Sequence, residues 1–456
     1  MKYILIILAF SFLQVDETFT VTDSGPISGT LKDGIRIYKG IPFSAPPLGN
    51  LRWKAPQPVK KWEGVKECTA FGPSPVQDKP ARFSMWTEEY LIPASPISED
   101  CLYLNVWTGA KKADDKRAVI VWIYGGGFGS GGSGVPIYDG EAMAKKGIVF
   151  VSVNYRVGVF GFFAHPDLTK ESGYNASGNY GLLDQIAALK WVQKNIAAFG
   201  GDPKNVTIAG QSAGAMSVNC LVASPLGKGL FQRAIGESGS SVVAGNYIGK
   251  GLSQAEEDGI QTAKKLSISS LADLRKIPAA ELLTKARGQR GPIVDGYVLP
   301  ETVAKIFAEG KQNKVSLLTG SNQDEGLTFG LMNYAWANEQ LKQSKDVYVY
   351  RFTRKVPATG EYVKYGAFHT GEVPYAYDNL KFVDRPWEKA DQNLATIMSS
   401  YWVNFAKTGN PNGKGLPQWP AYQMKDQKVM VFDVQSIAKE IPDRSALDSM
   451  YRQLQH

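Results

Sequence analysis

The sequence has few of the residues that most often bind metals. Its 456 residues include only three histidines and three cysteines. None of them forms a His-x-x-x-His or Cys-x-x-Cys pair. Because metal sites in proteins need several such ligands close together, we expect no metal site and no metal-dependent chemistry. A glycine-rich stretch at 125–134 contains no Gly-Lys-Ser/Thr and does not open a helix, so we expect neither a phosphate cradle nor a dinucleotide cofactor.

Clusters of basic residues and long apolar segments are also scarce. The net charge is +8, but the Lys and Arg residues are scattered, so we expect no nucleic-acid partner. Beyond the N-terminus no segment is long and apolar enough to predict a transmembrane helix. Residues 1–13 pair Lys2 with a short apolar run, which predicts an export signal within 1–17 and a periplasmic or secreted protein. A buried N-terminal strand is the alternative, and the cleavage site stays open.

The rest of the composition is that of a globular protein. The chain is 43% hydrophobic and 21% charged, and no linker or repeat divides it, so we expect a single domain over 18–456. Alternation around several glycines predicts antiparallel edge strands at 18–40. Patterns typical of strands also lie at 102–107, 118–124, 148–153, 231–236, 316–320 and 347–352, and helical periodicity lies at 182–198. This alternation of strands and helices predicts an α/β sheet with ligands at the carboxyl ends of its strands.

One short motif indicates nucleophilic chemistry. An apolar strand pattern ends at Gly210-Gln-Ser-Ala-Gly214, and small residues of helical character follow. Glycines on both sides let the backbone turn sharply, which presents the Ser212 hydroxyl at a helix N-terminus. There the amide of Ala213 can stabilise a developing oxyanion. An ordinary glycine-rich turn is the alternative for the motif alone, but the strand before it and the helix after it favour a nucleophile.

A serine nucleophile needs a base, and three histidines leave few candidates. His456 ends the chain, and His165 precedes Ser212 in a Pro-containing turn. Only His369 lies far enough beyond Ser212 to leave room for an acid in the order Ser, acid, His. A lone loop histidine is usually just solvated, but elimination among three favours a catalytic role for His369.

Two further groups would complete such a site. Asp324 and Glu325 follow a predicted strand in a loop, where an acid can orient the imidazole, and spacing does not choose between them. The glycines after Tyr124 also follow a strand, and their amides can approach a substrate closely. This loop is the candidate oxyanion hole.

Seven stretches of the chain together form a specific signature. They are YKGIPFSAPPLGNLR at 38–52, SEDCLYLN at 98–105, WIYGGGF at 122–128, NYRVG at 154–158, GLLDQIAAL at 181–189, FGGDPKNV at 199–206 and GQSAG at 210–214. In these stretches the chain resembles the type-B carboxylesterase family, the cholinesterase-like branch of the α/β-hydrolases. The resemblance runs from about residue 18 to the C-terminus. It implies the α/β-hydrolase fold, with a mostly parallel twisted sheet flanked by helices.

The resemblance also assigns roles to individual residues. It makes Ser212 the nucleophile, Glu325 the acid and His369 the base. It implies that the amides of Gly126, Gly127 and Ala213 form the oxyanion hole. The implied reaction is hydrolysis of small carboxylic esters, including aryl esters, without a cofactor. A non-catalytic adhesion or binding module is the rival class, and feruloyl-type or lipid esters are alternatives within the enzymes.

Structural pairings follow from the same resemblance. It implies a disulfide between Cys68 and Cys101, which lie in Pro-rich, loop-like surroundings. Three free thiols are the alternative, and Cys220 is expected to be a buried thiol. The resemblance further implies two buried ion pairs, Arg52–Glu99 and Arg156–Asp184.

Two features depart from the family pattern. Gln211 stands in the elbow where the family usually has Glu, which removes a carboxylate beside the site without touching the triad. The segment near 330–346 is also shorter than usual, so we expect a helical part of the active-site wall to be missing. Trp86 is expected to pack within its loop or to line the pocket, with a choline-binding role as the less favoured alternative.

Overall fold

The computed structural model of the chain describes residues 17–243, 249–288, 290–343 and 346–454. Residues 1–16 of the predicted export signal and the terminal His456 therefore lie outside the described residues. Among the helices that the structure describes, none is both long and apolar enough to cross a membrane.

Fourteen strands lie in the described part of the chain. They are β1 (Thr20–Thr22), β2 (Gly25–Ser28), β3 (Thr30–Lys32), β4 (Ile35–Pro42), β5 (Lys66–Glu67), β6 (Tyr103–Thr108), β7 (Arg117–Ile123), β8 (Val149–Val153), β9 (Gly201–Gln211), β10 (Arg233–Glu237), β11 (Ser316–Asn322), β12 (Val347–Phe352), β13 (Lys428–Phe432) and β14 (Ile437–Glu440). Eleven of them form one sheet in the order β14-β13-β12-β11-β10-β9-β7-β8-β6-β4-β3. Strands β1, β2 and β5 form a separate small sheet.

Thirteen α-helices connect and cover these strands in the described residues. They are α1 (Glu141–Lys145), α2 (Gly158–Phe162), α3 (Pro166–Glu171), α4 (Tyr180–Asn195), α5 (Ala213–Ala223), α6 (Leu252–Lys265), α7 (Leu271–Leu274), α8 (Ala279–Lys285), α9 (Val303–Ala308), α10 (Leu327–Gln340), α11 (Val373–Ala376), α12 (Lys389–Thr408) and α13 (Arg444–Leu454). Helix α5 packs on β9 and β10, and α12 packs on β7 and β9.

The large sheet is parallel in its centre and antiparallel at its ends. All pairs from β8 through β7, β9, β10, β11 and β12 to β13 are parallel. Strands β3, β4 and β6 pair antiparallel at one end, and β14 does so at the other. The apolar runs predicted at 118–124 and 148–153 are β7 and β8, whose side chains are almost all buried, as expected for strands covered on both faces. The predicted α/β fold is therefore confirmed.

Parallel strands bring the ends of distant segments to one edge of the sheet. Strands β7, β9, β10 and β11 are neighbours that run in the same direction and end at Ile123, Gln211, Glu237 and Asn322. Ligand sites in open α/β sheets form at this carboxyl edge. Each of the four strand ends carries a loop or turn that belongs to the candidate site.

The region predicted to be short consists of a single helix. Helix α10 follows Gly326 and ends at Gln340, and β12 begins at Val347. The chain thus returns from the carboxyl edge to the sheet directly after one helix.

Both predicted ion pairs are present, the second fully buried and the first with a partly exposed Glu99. The Arg52 Nε atom lies 2.7 Å from Glu99 Oε2, and Arg156 Nη2 lies 2.8 Å from Asp184 Oδ1. The Asp184 carboxylate also accepts a hydrogen bond from the backbone amide of Arg156. This pair fixes the loop after β8 to helix α4.

The predicted disulfide is wrong for this structure, in which all three cysteines are free and buried. Cys68 and Cys101 are each only 1% exposed, and each is a separate thiol on its own segment. Burial raises the pKa of the Cys68 thiol to about 11 and that of Cys101 well above its usual value, so both thiols stay protonated. Cys68 is held by backbone hydrogen bonds to Ser28 and Lys39, whereas Cys101 lies near Arg156.

Candidate active site

Ser212 occupies a strained turn between β9 and α5. Its backbone angles are φ +57° and ψ −124°, a region that side-chain-bearing residues rarely adopt. The flanking glycines make the turn possible, because a Cβ at Gly214 would lie 2.1 Å from the carbonyl oxygen of Ile123. A Cβ at Gly210 would lie 2.6 Å from the backbone of Gly214. The predicted strand, turn and helix are thus all present around Ser212.

The backbone of Ser212 is fixed on both sides. Its amide donates a hydrogen bond of 2.8 Å to the carbonyl oxygen of Glu237 at the end of β10. Its own carbonyl oxygen accepts from the amide of Met216 in α5, at 2.9 Å. These bonds hold the strained turn in place and leave the half-buried side chain at the carboxyl edge of the sheet.

The glycine loop after β7 packs directly against this turn. A Cβ at Gly125 would lie 3.0 Å from Ser212 Cβ. Gly126 and Gly127 both have positive φ, +115° and +59°, so the loop has a shape that favours glycine. In the described residues the amides of these two glycines donate no hydrogen bond, and Ala213 is the first residue of α5, where helix amides lack a partner. The three amides predicted for the oxyanion hole are therefore free to bind a ligand oxygen.

Glu325 and His369 form a direct pair. Glu325 Oε2 lies 2.6 Å from His369 Nδ1, and the Glu325 side chain is fully buried. The other carboxylate oxygen of Glu325 accepts a hydrogen bond of 2.7 Å from the backbone amide of Asn322. A carboxylate held in this way fixes the imidazole with a proton on Nδ1 and its lone pair on Nε2.

Asp324, the other acid that spacing allowed, has a different partner. Its carboxylate accepts a hydrogen bond of 2.7 Å from the backbone amide of Ala367, and its own amide donates to the carbonyl oxygen of Ala367. Asp324 therefore binds the loop that carries His369 rather than the imidazole. The two adjacent acids thus hold the histidine loop and the histidine ring respectively.

Three further side chains surround the His369 ring. Phe329 stacks on it with ring centroids 4.4 Å apart, and Trp86 meets it edge-on at 6.4 Å. The side-chain nitrogen of Gln211 lies 3.2 Å from His369 Nε2. In the part of the chain that the structure describes, the Ser212 hydroxyl makes no hydrogen bond to His369. Catalytic hydrogen bonds in unliganded sites are often long and tighten only when substrate binds.

Two more carboxyl groups are buried behind the pair. Glu372 accepts hydrogen bonds from the side chains of Asn322 and Ser238. Glu237 accepts from Tyr377 Oη and Trp402 Nε1, both at 2.9 Å, through one oxygen, and its other oxygen has no partner. Burial raises the pKa of Glu237, and the nearby Glu372 raises it further. Burial also raises the pKa of Glu372, to which the charge of Glu325 adds.

Sequence reasoning named the residues at the strand ends but missed several that surround them. The structure packs the loop of Gly126 and Gly127 against the elbow of Ser212 and Ala213 through Gly125, and it joins Glu325 to His369. Sequence reasoning did not identify contacts to His369 from the residues at 211 and 329, or the buried carboxyls at 237 and 372. Proximity in sequence was a usable signal for three of these, since 211 adjoins Ser212, 329 follows Glu325 by four residues and 372 follows His369 by three. Glu237 carried no such signal, because only the pairing of β9 with β10 brings it close.

Comparison with known proteins gives a consistent result. The carboxylesterase family model matches residues 16–341 and 329–449 of the chain. Fumonisin B1 esterase of Sphingopyxis macrogoltabida is 35% identical over 92% of this chain and 88% of its own length. Para-nitrobenzyl esterase of Bacillus subtilis (strain 168) is 33% identical over 94% of this chain and 98% of its own.

A solved structure agrees with the sequence comparisons. A thermophilic PNB esterase superimposes with a TM-score of 0.84 at 32% identity, covering 95% of this chain and all of the other. The matches extend over both the sheet and the loops that build the site. With its α/β-hydrolase fold, the chain belongs to the carboxylesterase family, and this membership supports hydrolysis of carboxylic esters.

Proposed function

We propose that the chain is a serine carboxylesterase that hydrolyses small acyl or aryl esters through an acyl-enzyme on Ser212. The observation that carries the proposal is the convergence of three elements at one sheet edge. These are a strained serine turn, a glycine loop with free amides, and a histidine joined to a buried carboxylate at 2.6 Å. Each element supplies one part of an acyl-transfer site.

In the first half-reaction, Ser212 Oγ attacks the carbonyl carbon of the ester while His369 Nε2 accepts its proton. Glu325 stabilises the imidazolium that forms. The amides of Gly126, Gly127 and Ala213 donate hydrogen bonds to the oxyanion of the tetrahedral intermediate. The intermediate then breaks its bond to the alcohol oxygen, which takes the proton from His369 and leaves.

In the second half-reaction, a water molecule replaces the alcohol. His369 accepts a proton from the water as its oxygen attacks the acyl carbon. The same amides hold the second oxyanion, and Ser212 leaves with the proton from His369. The products are a carboxylic acid and the free enzyme, so the cycle needs no cofactor.

The choice of a small aryl ester as the first substrate has two supports. The relatives include proteins named para-nitrobenzyl esterase, which cover nearly the whole chain. The exposed Phe83 and the half-buried Trp86 and Phe329 also place aromatic surface beside His369, where an aryl group can pack. The proposed partner is therefore a small-molecule ester.

The test is hydrolysis of p-nitrophenyl butyrate by the purified chain, measured beside Ser212→Ala. We expect turnover that falls by several orders of magnitude in the variant. Ser269→Ala, which removes an exposed serine in the loop before α7, is the matched control and should leave turnover unchanged. A folded wild-type protein without activity would overturn the proposal and favour a non-catalytic binding module.

A further inference from the structure

The Gln211 side chain rests against the catalytic imidazole in an unusual position. Its nitrogen lies 3.2 Å from His369 Nε2 and 3.5 Å from His369 Nδ1. A donor aligned with the lone pair of one ring nitrogen would be much farther from the other. The amide therefore packs against the ring rather than along the Nε2 lone pair, and that lone pair stays available to the Ser212 hydroxyl.

The fold fixes the position of this amide. Gln211 is the last residue of β9 and only 2% exposed, and its backbone pairs in register with Glu237 of β10. A Cβ at Gly125 would come within 3.3 Å of Gln211 Oε1, so the side chain lies between the glycine loop and the histidine. Phe329 stacks on the same imidazole. Two flat groups, an amide and a phenyl ring, thus pack against His369.

Most of the charged side chains around His369 are acidic, so it matters that the residue at position 211 is a neutral amide. Glu325 contacts the ring and Glu372 lies three residues along the same loop. From neighbouring elements, Glu237 faces Glu372, and Asp324 binds the histidine loop. Two cations lie near this loop: Arg351 of β12 interacts with Glu325 and Asp324, and Arg385 packs over the ring of Phe368, the residue before His369.

An amide and a carboxylate act differently on an imidazole. A neutral amide can pack against the ring whether the imidazole is neutral or protonated. A carboxylate favours only the protonated ring, because the opposite charges attract strongly away from bulk water. A carboxylate at position 211 would therefore oppose the neutral imidazole that a general base needs.

We propose that Gln211 is a positioning residue for His369, whose amide packs against the imidazole and holds the ring for Ser212 without placing a charge beside it. This inference rests on the proposed esterase function. Gln211 contacts the ring of His369 and takes no part itself in proton or acyl transfer, so it acts through the histidine.

Two substitutions separate the two parts of this role. Gln211→Glu preserves shape but adds a carboxylate at the ring, and it should move the acid limb of the kcat/KM profile to higher pH by about one unit or more. Gln211→Ala removes the amide that packs against the ring. It should lower kcat roughly 10-fold with little change in KM, because that face of the ring is no longer restrained, and the acid limb should stay in place. Gln392→Glu makes the same chemical change on the exposed side of α12 and should alter neither quantity.

A readout independent of turnover keeps this inference separate from the proposed function. The chain has only three histidines, so the imidazole signals of His369 can be assigned by NMR from their loss in His369→Gln. In Gln211→Glu those signals should titrate at higher pH than in the wild type, even if no ester is hydrolysed. An unmoved titration and an unmoved acid limb in Gln211→Glu would overturn the role of Gln211, as would a wild-type kcat in Gln211→Ala. Absence of ester hydrolysis by the wild type, with the titration shifted, would instead count against the esterase function alone.

Discussion

At Asp324 and Glu325, one peptide bond separates two acids with different tasks. Spacing and residue type could not distinguish them, because both follow the same strand and both are acids. The distinction comes from the backbone, which directs Glu325 to His369 Nδ1 and Asp324 to the amide of Ala367. Which acid meets the histidine depends on how the fold brings the loop of Glu325 against the loop of His369. The local sequence carries no information about that contact.

This difference predicts unequal effects of removing each charge. Glu325→Gln should lower kcat by on the order of 10³-fold or more, because an amide does not stabilise the imidazolium and can favour the wrong tautomer. Asp324→Asn retains an oxygen that accepts from Ala367, so it should lower kcat by less than about 10-fold. Steady-state hydrolysis of p-nitrophenyl butyrate by both variants checks the prediction. Equal losses would show that the acid has been assigned to the wrong residue.

At the level of elements, the turn between β9 and α5 shows what a sequence motif can predict. The motif specified a strand, a sharp turn and a helix, and all three are present with Ser212 at positive φ. The motif succeeded because the turn needs residues without a side chain on both sides of Ser212, and Gly210 and Gly214 are visible in the sequence itself. The predicted disulfide failed because a pairing depends on how two distant segments are placed, which loop-like composition does not reveal, and the structure leaves Cys68 and Cys101 as separate thiols.

Gly214→Ala tests how tightly this turn is packed. The new methyl group would lie 2.1 Å from the carbonyl oxygen of Ile123, so either α5 or β7 must shift. We expect a loss of about 3 kcal/mol in the free energy of unfolding and at least a 100-fold loss of kcat, since Ser212 moves with α5. Urea unfolding and ester hydrolysis measure the two effects. Gly288→Ala, whose Cβ meets no heavy atom within 4 Å, should change neither, and equal effects of both substitutions would exclude tight packing as the cause.

At the scale of the whole molecule, buried charges connect segments that are far apart in sequence. Arg156 and Asp184 are 3% and 0% exposed and join the loop after β8 to helix α4. Asp184→Asn leaves the Arg156 cation without its partner, so we expect the free energy of unfolding to fall by about 3–5 kcal/mol. Asp78→Asn breaks a contact with Arg287 in which both side chains are more than 60% exposed, and it should cost less than about 1 kcal/mol. Urea unfolding of the two variants compares them, and similar losses would contradict the importance of burial.

The ionised forms of Glu237 and Glu372 should lower the stability of the fold, unlike the Asp184 carboxylate. Both are buried carboxyls without a buried cation as hydrogen-bond partner. Burial raises the pKa of Glu237 above its usual 4.5, so the folded chain keeps a proton that the unfolded chain releases. Where the folded state binds more protons, stability falls as pH rises, by at most about 1.4 kcal/mol per pH unit for one proton. This contribution is complete below the unfolded value and is lost as pH rises through the raised folded value.

Glu237→Gln isolates this effect, because an amide oxygen can still accept from Tyr377 and Trp402 but the group no longer titrates. Between about pH 5 and pH 8 the free energy of unfolding of the wild type should fall as pH rises, relative to that of the variant. Urea unfolding at a series of pH values measures both curves, with Glu361→Gln at an exposed site as the control. A packing defect alone would lower the curve of the variant by the same amount at every pH. Parallel curves would therefore mean that Glu237 is ionised in the folded protein, and that the hydrogen bonds from Tyr377 and Trp402 outweigh the cost of burying its charge.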